Sequence, residues 1–211
     1  MTRRTRSISR FLNVAATLIL TSLLLAGAAN AAGFGGYLGL DYTEGDVDVF
    51  GLTVDHERSA VDLGFVMDTN LSRDRLFNYR LRLGMQAGKR EYDIAGFGTV
   101  KEKTIGFAIT NTFGFGIVRT PAVRLWIGPS IRFAVDDCTD CSGYDSVFLA
   151  IGGGPEIGLN YNVGRHLTIG PSLSYNYMFG VNIEDDEDFD GPQHQVSLLV
   201  NVFFRTESDS F

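Results

Sequence analysis

The residues of this 211-residue chain that could do chemistry are mostly charged and mostly grouped. Cys138-Thr139-Asp140-Cys141 is a closely spaced thiol pair. Such a pair makes a short-range disulfide, a redox-active dithiol or half of a zinc site. A reactive thiolate needs positive surroundings, and Asp136, Asp137 and Asp140 make these negative. Zinc needs about four ligands and two are in view. A Cys138–Cys141 disulfide is therefore the expectation, as befits an exported chain. Acids collect in runs: Glu44, Asp46, Asp48, Asp55 and Glu57; Asp137, Asp140 and Asp145; Glu184 to Asp188 with Asp190. Asp186-x-Asp188-x-Asp190-Gly191 opens like a calcium loop, but its twelfth position is Ser197, so the motif is incomplete. These three aspartates are a weak divalent-cation candidate, against the plainer reading of solvated acidic loops.

A hydrolytic triad is the other chemistry to weigh. Asp55, His56 and Ser59 share one segment, while His166 and His194 stand apart. No spacing ties a serine to a histidine and a carboxylate, and proximity along the chain is not a triad. The expectation is no catalysis and no cofactor. More telling are charges set singly among apolar residues: Asp62, Asp68, Arg80, Arg82, Arg124, Arg132 and Glu156. Charges inside apolar segments must be paired or solvated.

What positions them is an alternation of period two. After residue 32 no long segment has helical periodicity. Eight segments each carry one apolar face: 33–42, 59–68, 76–92, 104–118, 123–136, 147–162, 167–179 and 194–204. Leu38 and Leu40, Leu63 and Phe65, Leu81 and Leu83, and Leu198 and Val200 typify that face. Asn111 interrupts it in the fourth segment. Connections 69–75, 119–122 and 163–166 are short; 43–58, 93–103, 137–146 and 180–193 are long. Short turns at one end and long loops at the other suit a membrane barrel.

A soluble barrel would alternate too, with its apolar face inward. The second face decides. It is rich in Gly, Ser, Thr and Asn, with the scattered charges above and no lysine. A narrow eight-stranded lumen needs such small residues, so the apolar face is the lipid face. The seven interspersed charges then point into the lumen. A turn centred near residue 72 would set Asp62 opposite Arg82. The network is read as a plug of salt bridges, with a charged narrow pore as the alternative. Leu125-Trp-Ile-Gly-Pro-Ser-Ile-Arg-Phe133 echoes Leu167-Thr-Ile-Gly-Pro-Ser-Leu-Ser-Tyr175. Pro129, Pro155 and Pro171 each remove a ladder hydrogen bond, which predicts bulges or kinks there.

The start of the chain is different. Arg3, Arg4, Arg6 and Arg10 precede an apolar run from Phe11 to Gly27, then Ala29-Asn30-Ala31. Basic, apolar and small-residue regions in that order make a secretory signal peptide cleaved after Ala31. The run is short for a membrane anchor. Its removal takes four arginines and no acid from a net charge of -7, leaving -11. That acidity argues against nucleic acid as a partner. The chain has 25 glycines, 16 Phe and 8 Tyr, but its only lysines are Lys89, Lys101 and Lys103. A surface so poor in lysine meets little water.

With its signal peptide, eight-segment pattern and aromatic-ended last segment Val196-Ser-Leu-Leu-Val-Asn-Val-Phe-Phe204, the chain resembles small bacterial outer-membrane barrels of the OmpA-transmembrane-domain, OmpX and opacity-protein type. The likeness covers essentially all of 33–204. It implies an all-β fold: an eight-stranded antiparallel up-and-down transmembrane β-barrel at 32–204, after the signal peptide 1–31. It also implies that the last strand is read by the barrel-assembly machinery. Arg205-Thr-Glu-Ser-Asp-Ser-Phe211 departs from the pattern, so 205–211 is expected to be a short periplasmic tail. Outer-membrane lipid and lipopolysaccharide are the expected partners, and a monomer the expected state. The role read from the residues is structural or surface-interacting, with a narrow solute channel as the alternative. A lipid A-modifying enzyme is the third reading. The resemblance identifies an architecture and leaves the activity to the sites.

Overall fold

The computed structural model describes residues 33–49, 52–71, 75–94, 98–140, 147–184 and 187–206. They form eight strands: β1 (Gly33–Val49), β2 (Leu52–Asp68), β3 (Phe77–Ile94), β4 (Gly98–Arg119), β5 (Val123–Cys138), β6 (Val147–Val163), β7 (Leu167–Glu184) and β8 (Glu187–Arg205). Each pairs antiparallel with its neighbours, and β1 pairs β8 to close the barrel. Closure removes both sheet edges, so the ladder satisfies the backbone all the way round.

The alternation sets which face is which. Leu38 (52%), Leu63 (63%), Met85 (63%) and Leu198 (54%) stand out from the wall, while Asp41, Asp62, Gln86 and Asn201 are buried within it. A soluble barrel would show the reverse. Phe34 faces Phe204, and Phe77 faces Phe115 with ring centroids 5.7 Å apart. These four lie near one end of the apolar belt, as interfacial aromatics do. On β3 and β4 three outward residues are buried, Tyr79, Leu81 and Ile109, packed with Met67, Leu83, Phe107 and Phe113. The Tyr79 hydroxyl donates to Asn111 Oδ1 at 2.6 Å, so the amide that breaks the apolar face has a partner.

The strands are longer than expected. A bilayer needs roughly 9–11 residues of tilted strand, and these have 16 to 22. The segments read as long loops at 43–58, 93–103 and 180–193 are mostly ladder. β1 runs to Val49 and β2 starts at Leu52; β7 runs to Glu184 and β8 starts at Glu187. Their polar residues alternate as the apolar ones do, and the hairpins simply continue beyond the belt. This end is the extended end. The opposite, turn end is tightly tied. The Asn70 amide donates to Arg75 O (2.8 Å) and Phe77 O (2.9 Å). Thr120 N donates to Val123 O at 2.9 Å, and Gly164 takes a φ of 65 that favours glycine.

The proline expectation is corrected in part. Pro129 faces Pro155, and Pro171 faces Val200, with no bulge, but the ladder on each proline's other side lapses. The β4–β5 pairing passes from Thr112–Ser130 to Phe115–Ile127 around Pro129. The β6–β7 pairing passes from Gly153–Tyr177 to Glu156–Ser174 around Pro155 and from Gly158–Ser172 to Tyr161–Ile169 around Pro171. The register shift lies between Gly116 and Val118 in the β4–β5 ladder. All three prolines are on the exposed face, and each interrupts one ladder without adding a residue to it. β8 includes Arg205, so the tail begins one residue later than expected. The signal-peptide segment 1–31 and residues 207–211 lie outside the described residues.

Candidate functional site: the charged lumen

The seven charges singled out from the sequence are 0–2% exposed: Asp62, Asp68, Arg80, Arg82, Arg124, Arg132 and Glu156. They do not pair as the hairpin arithmetic suggested. The β2–β3 register centres near residue 74, two residues beyond the expected turn, because Asp68 pairs with Arg80 and Thr69 N donates to Tyr79 O, which puts the turn between 69 and 79. Asp62 therefore faces Gln86, and Arg82 faces Val66. Asp68 and Arg80 do face each other, and they bond at 2.8 Å.

From the turn end upward, the lumen is a stack of ion pairs. The lowest holds Arg80, whose Nε donates to Asp68 at 2.8 Å and whose Nη2 donates to Asn160 at 2.8 Å. Its guanidinium lies 4.6 Å from the Trp126 ring centre and 4.9 Å from that of Phe203. Aromatic faces favour a desolvated cation there. Beside it Arg124 donates to the carbonyls of Arg75 (2.6 Å) and Leu76 (3.0 Å).

The next layer joins Arg82 to Glu156 by two parallel bonds, one of them 3.1 Å from Nη1 to Oε2. Arg82 also donates to Asn201 Oδ1 (3.0 Å) and Ser172 Oγ (3.1 Å), and Thr112 donates to Glu156 at 2.7 Å. Both charges have their remaining hydrogen-bonding capacity largely used, which is what makes a buried pair tolerable.

Above them Arg132 bridges two carboxylates, Asp41 at 2.8 Å and Asp62 at 3.0 Å. Tyr37 donates to Asp62 at 2.8 Å. The Gln86 amide reaches Asp41 and Asp62, both at 3.3 Å. The highest layer has Arg58 on Asp136 at 2.7 Å. Arg90 approaches the other oxygen of Asp136 at 3.5 Å, as a charge neighbour without a hydrogen bond, and lies 4.2 Å from the Phe148 ring centre. Three arginines (Arg58, Arg90, Arg132) thus face three carboxylates (Asp41, Asp62, Asp136) in the upper half.

Asp41, Arg58, Arg90 and Asp136 were not among the seven. Asp41 and Asp136 share the parity of the lumen residues on their strands, and Arg58 and Arg90 share that of Asp62 and Arg82. Asp41, Arg90 and Asp136 lie within the segments 33–42, 76–92 and 123–136, where the alternation alone assigns them to the lumen; only Arg58 stands one residue outside its segment, 59–68. His56 is buried among Arg58, Arg90 and Gln193, and its Nδ1 stands 3.0 Å from Gly45 O. This is in the extended end, beyond the belt. Burial first, then the Arg90 charge, push its pKa down to about 4. The histidine is neutral here.

Asp55 and Ser59 are exposed on the outer face of β2, whereas His56 is buried on the inner face. The strand pleat separates the three, and they form no triad. His194 is outward and 2.6 Å from the Tyr175 hydroxyl. Cys138 is disulfide-bonded; Cys141 lies outside the described residues. Asp186 also lies outside them. Asp188 faces Ile183 and Asp190 faces Val181 in the β7–β8 ladder. An extended, paired backbone is not the wrapped loop that a calcium motif needs. Among the described residues no group of three or more His, Cys, Asp or Glu could hold a metal.

No family model and no characterised protein sequence matches the chain. Solved structures do. The outer membrane protein OprG from Pseudomonas aeruginosa superposes with a TM-score of 0.57 at 11% identity, covering 84% of this chain and 97% of that one. The outer membrane protein AlkL, determined in DMPC lipid bilayers, gives 0.49 at 9%, covering 86% and 93%. Neisserial surface protein A gives 0.37 at 15%, covering 80% and 96%. The likeness to OprG shows the fold: this chain is built as a small eight-stranded outer-membrane barrel.

Proposed function

We propose that this outer-membrane barrel is a closed, non-enzymatic wall element that acts through its projecting end, in a structural or surface-interaction role. The observation that carries the reading is the four-layer stack of ion pairs crossing the lumen. Its members are at most 5% exposed. Arg58, Arg80, Arg82 and Arg132 are each tied to side chains from strands across the barrel, so ions would have to break several charge-assisted bonds in sequence to pass. The extended end faces outward, since the hairpins project from it and the tied turns lie opposite. Its described outer face is acidic and presents backbone in regular ladders, a surface for contact.

Planar-bilayer recording of the refolded chain tests this. Silence in molar salt is the expected result. Regular conductance steps would overturn the closed reading in favour of a narrow solute channel.

A further inference from the structure

The three lysines take no part in the lumen network. All three are exposed on the β3–β4 hairpin. Lys89 and Lys103 face each other across the ladder, and Glu91 faces Lys101 in the row beyond. In the row below, Ala87 faces Ile105, which is 43% exposed and begins the apolar belt. The lysine pair therefore sits at the boundary between belt and water, on the extended end.

Its surroundings make it singular. Along the same rim, Glu44 faces Glu57 and Asp46 faces Asp55. Glu57 and Asp55 in turn face Glu91 and Asp93. An anionic headgroup approaching β1, β2 or the upper part of β3 meets carboxylates. Lys101 is already engaged, with both Glu91 oxygens at 2.9 Å. Lys103 touches Asp140 at 3.2 Å, but both ends of that pair are about two-thirds exposed, so water and salt compete strongly with it. Lys89 makes no ion pair among the described residues.

Like charges directly opposite on one face weaken a hairpin, and an anion between them removes the repulsion. Opposed Cβ atoms are about 5 Å apart, so both ammonium groups reach one tetrahedral anion. Lysine also suits the place: its methylenes lie on apolar surface while the head rises to headgroup level, with three rotatable donors. We propose that Lys89 and Lys103 form a seat for a phosphate monoester carried by a glycolipid of the outer leaflet. The proposal rests on the outward orientation of the extended end. It deepens the surface-interaction reading without needing the lumen to be closed.

The test titrates the full refolded chain in detergent micelles with lipopolysaccharide, the same lipopolysaccharide dephosphorylated, phosphatidylglycerol and inorganic phosphate. Calorimetry and native mass spectrometry give the readout. Phosphorylated lipopolysaccharide should bind best. Combining Lys89→Gln with Lys103→Gln should weaken it about tenfold or more, with Lys101→Gln close to wild type. The heat-dependent shift in gel mobility shows separately that each variant is a folded barrel. An unchanged affinity in the folded double variant overturns the seat. Equal binding of dephosphorylated lipopolysaccharide overturns the phosphate assignment. Equal, lysine-dependent binding of phosphatidylglycerol or free phosphate overturns the glycolipid assignment. None of these outcomes bears on bilayer conductance, so failure here is distinct from failure of the closed-barrel reading.

Discussion

Arg82 on β3 and Glu156 on β6 lie 74 residues apart in the chain and meet across the lumen in a two-pronged ion pair. Neither residue's own hairpin contains the other. The pair is a product of closure, and it ties opposite walls of the barrel together.

Arg82→Met should be severely destabilising, by about 3–5 kcal/mol, because it strands a buried carboxylate. Glu156→Leu should cost a similar amount for the converse reason. Arg82→Met combined with Glu156→Leu should cost much less than the two together, since no unpaired charge remains. Trp126, the chain's one tryptophan, is buried in the lumen and reports unfolding by its fluorescence. Additive single effects in urea titrations would refute the coupling.

The lumen is filled closely enough that single methyl groups matter. A Cβ on Gly84 would collide with the Tyr37 hydroxyl, and one on Gly158 with the Trp126 ring. Gly84→Ala and Gly158→Ala should each cost about 1–3 kcal/mol. At Gly36 the nearest atom, Gly64 O, is 3.5 Å away, so Gly36→Ala should be close to neutral. Equal stability of all three variants would argue against a packed interior.

Acid should loosen the extended end through His56. Its pKa is lowered in the folded chain to about 4 from 6.5, so the unfolded chain takes up the proton first as pH falls. The stability tied to the neutral imidazole is complete above about pH 6.5 and is lost between there and about pH 4. The loss is about 3 kcal/mol at most. Hydrogen exchange in residues 53–58 and 88–93 should accelerate across that window, and less so in His56→Gln. Identical profiles in the two proteins would assign the effect to other groups.

The outward face should reject charge by depth. Leu63, 63% exposed within the belt, becomes a lipid-facing cation in Leu63→Arg. About 2–4 kcal/mol of destabilisation in bilayers is expected. Asp55→Arg, beyond the belt on the same face of β2, should be nearly neutral or mildly stabilising, since it removes an acid opposite Asp46. A similar cost at both positions would displace the belt.

Much of the barrel is legible in a local property, the period-two alternation. It assigns Leu63 outward and Asp62 inward with no knowledge of neighbours, because successive side chains of any strand point to opposite faces. The same rule applied to Arg58, Arg90 and Asp136 would have placed them in the lumen. Arg90 and Asp136 already lie inside the alternating segments 76–92 and 123–136, and Arg58 stands one residue before 59–68, where the ladder of paired backbone continues through polar sequence.

By itself, then, the sequence determined the fold class, the lipid face and the burial of the seven interspersed charges, all of which follow from which way a side chain points. Only the tertiary structure decided who meets whom. The hairpin arithmetic sets Asp62 opposite Arg82, but the β2–β3 turn lies between Thr69 and Tyr79, two residues later, leaving Asp62 to Arg132 and Arg82 to Glu156. Partners across a lumen depend on register summed over every hairpin and on the stagger at closure, and no single strand carries that information.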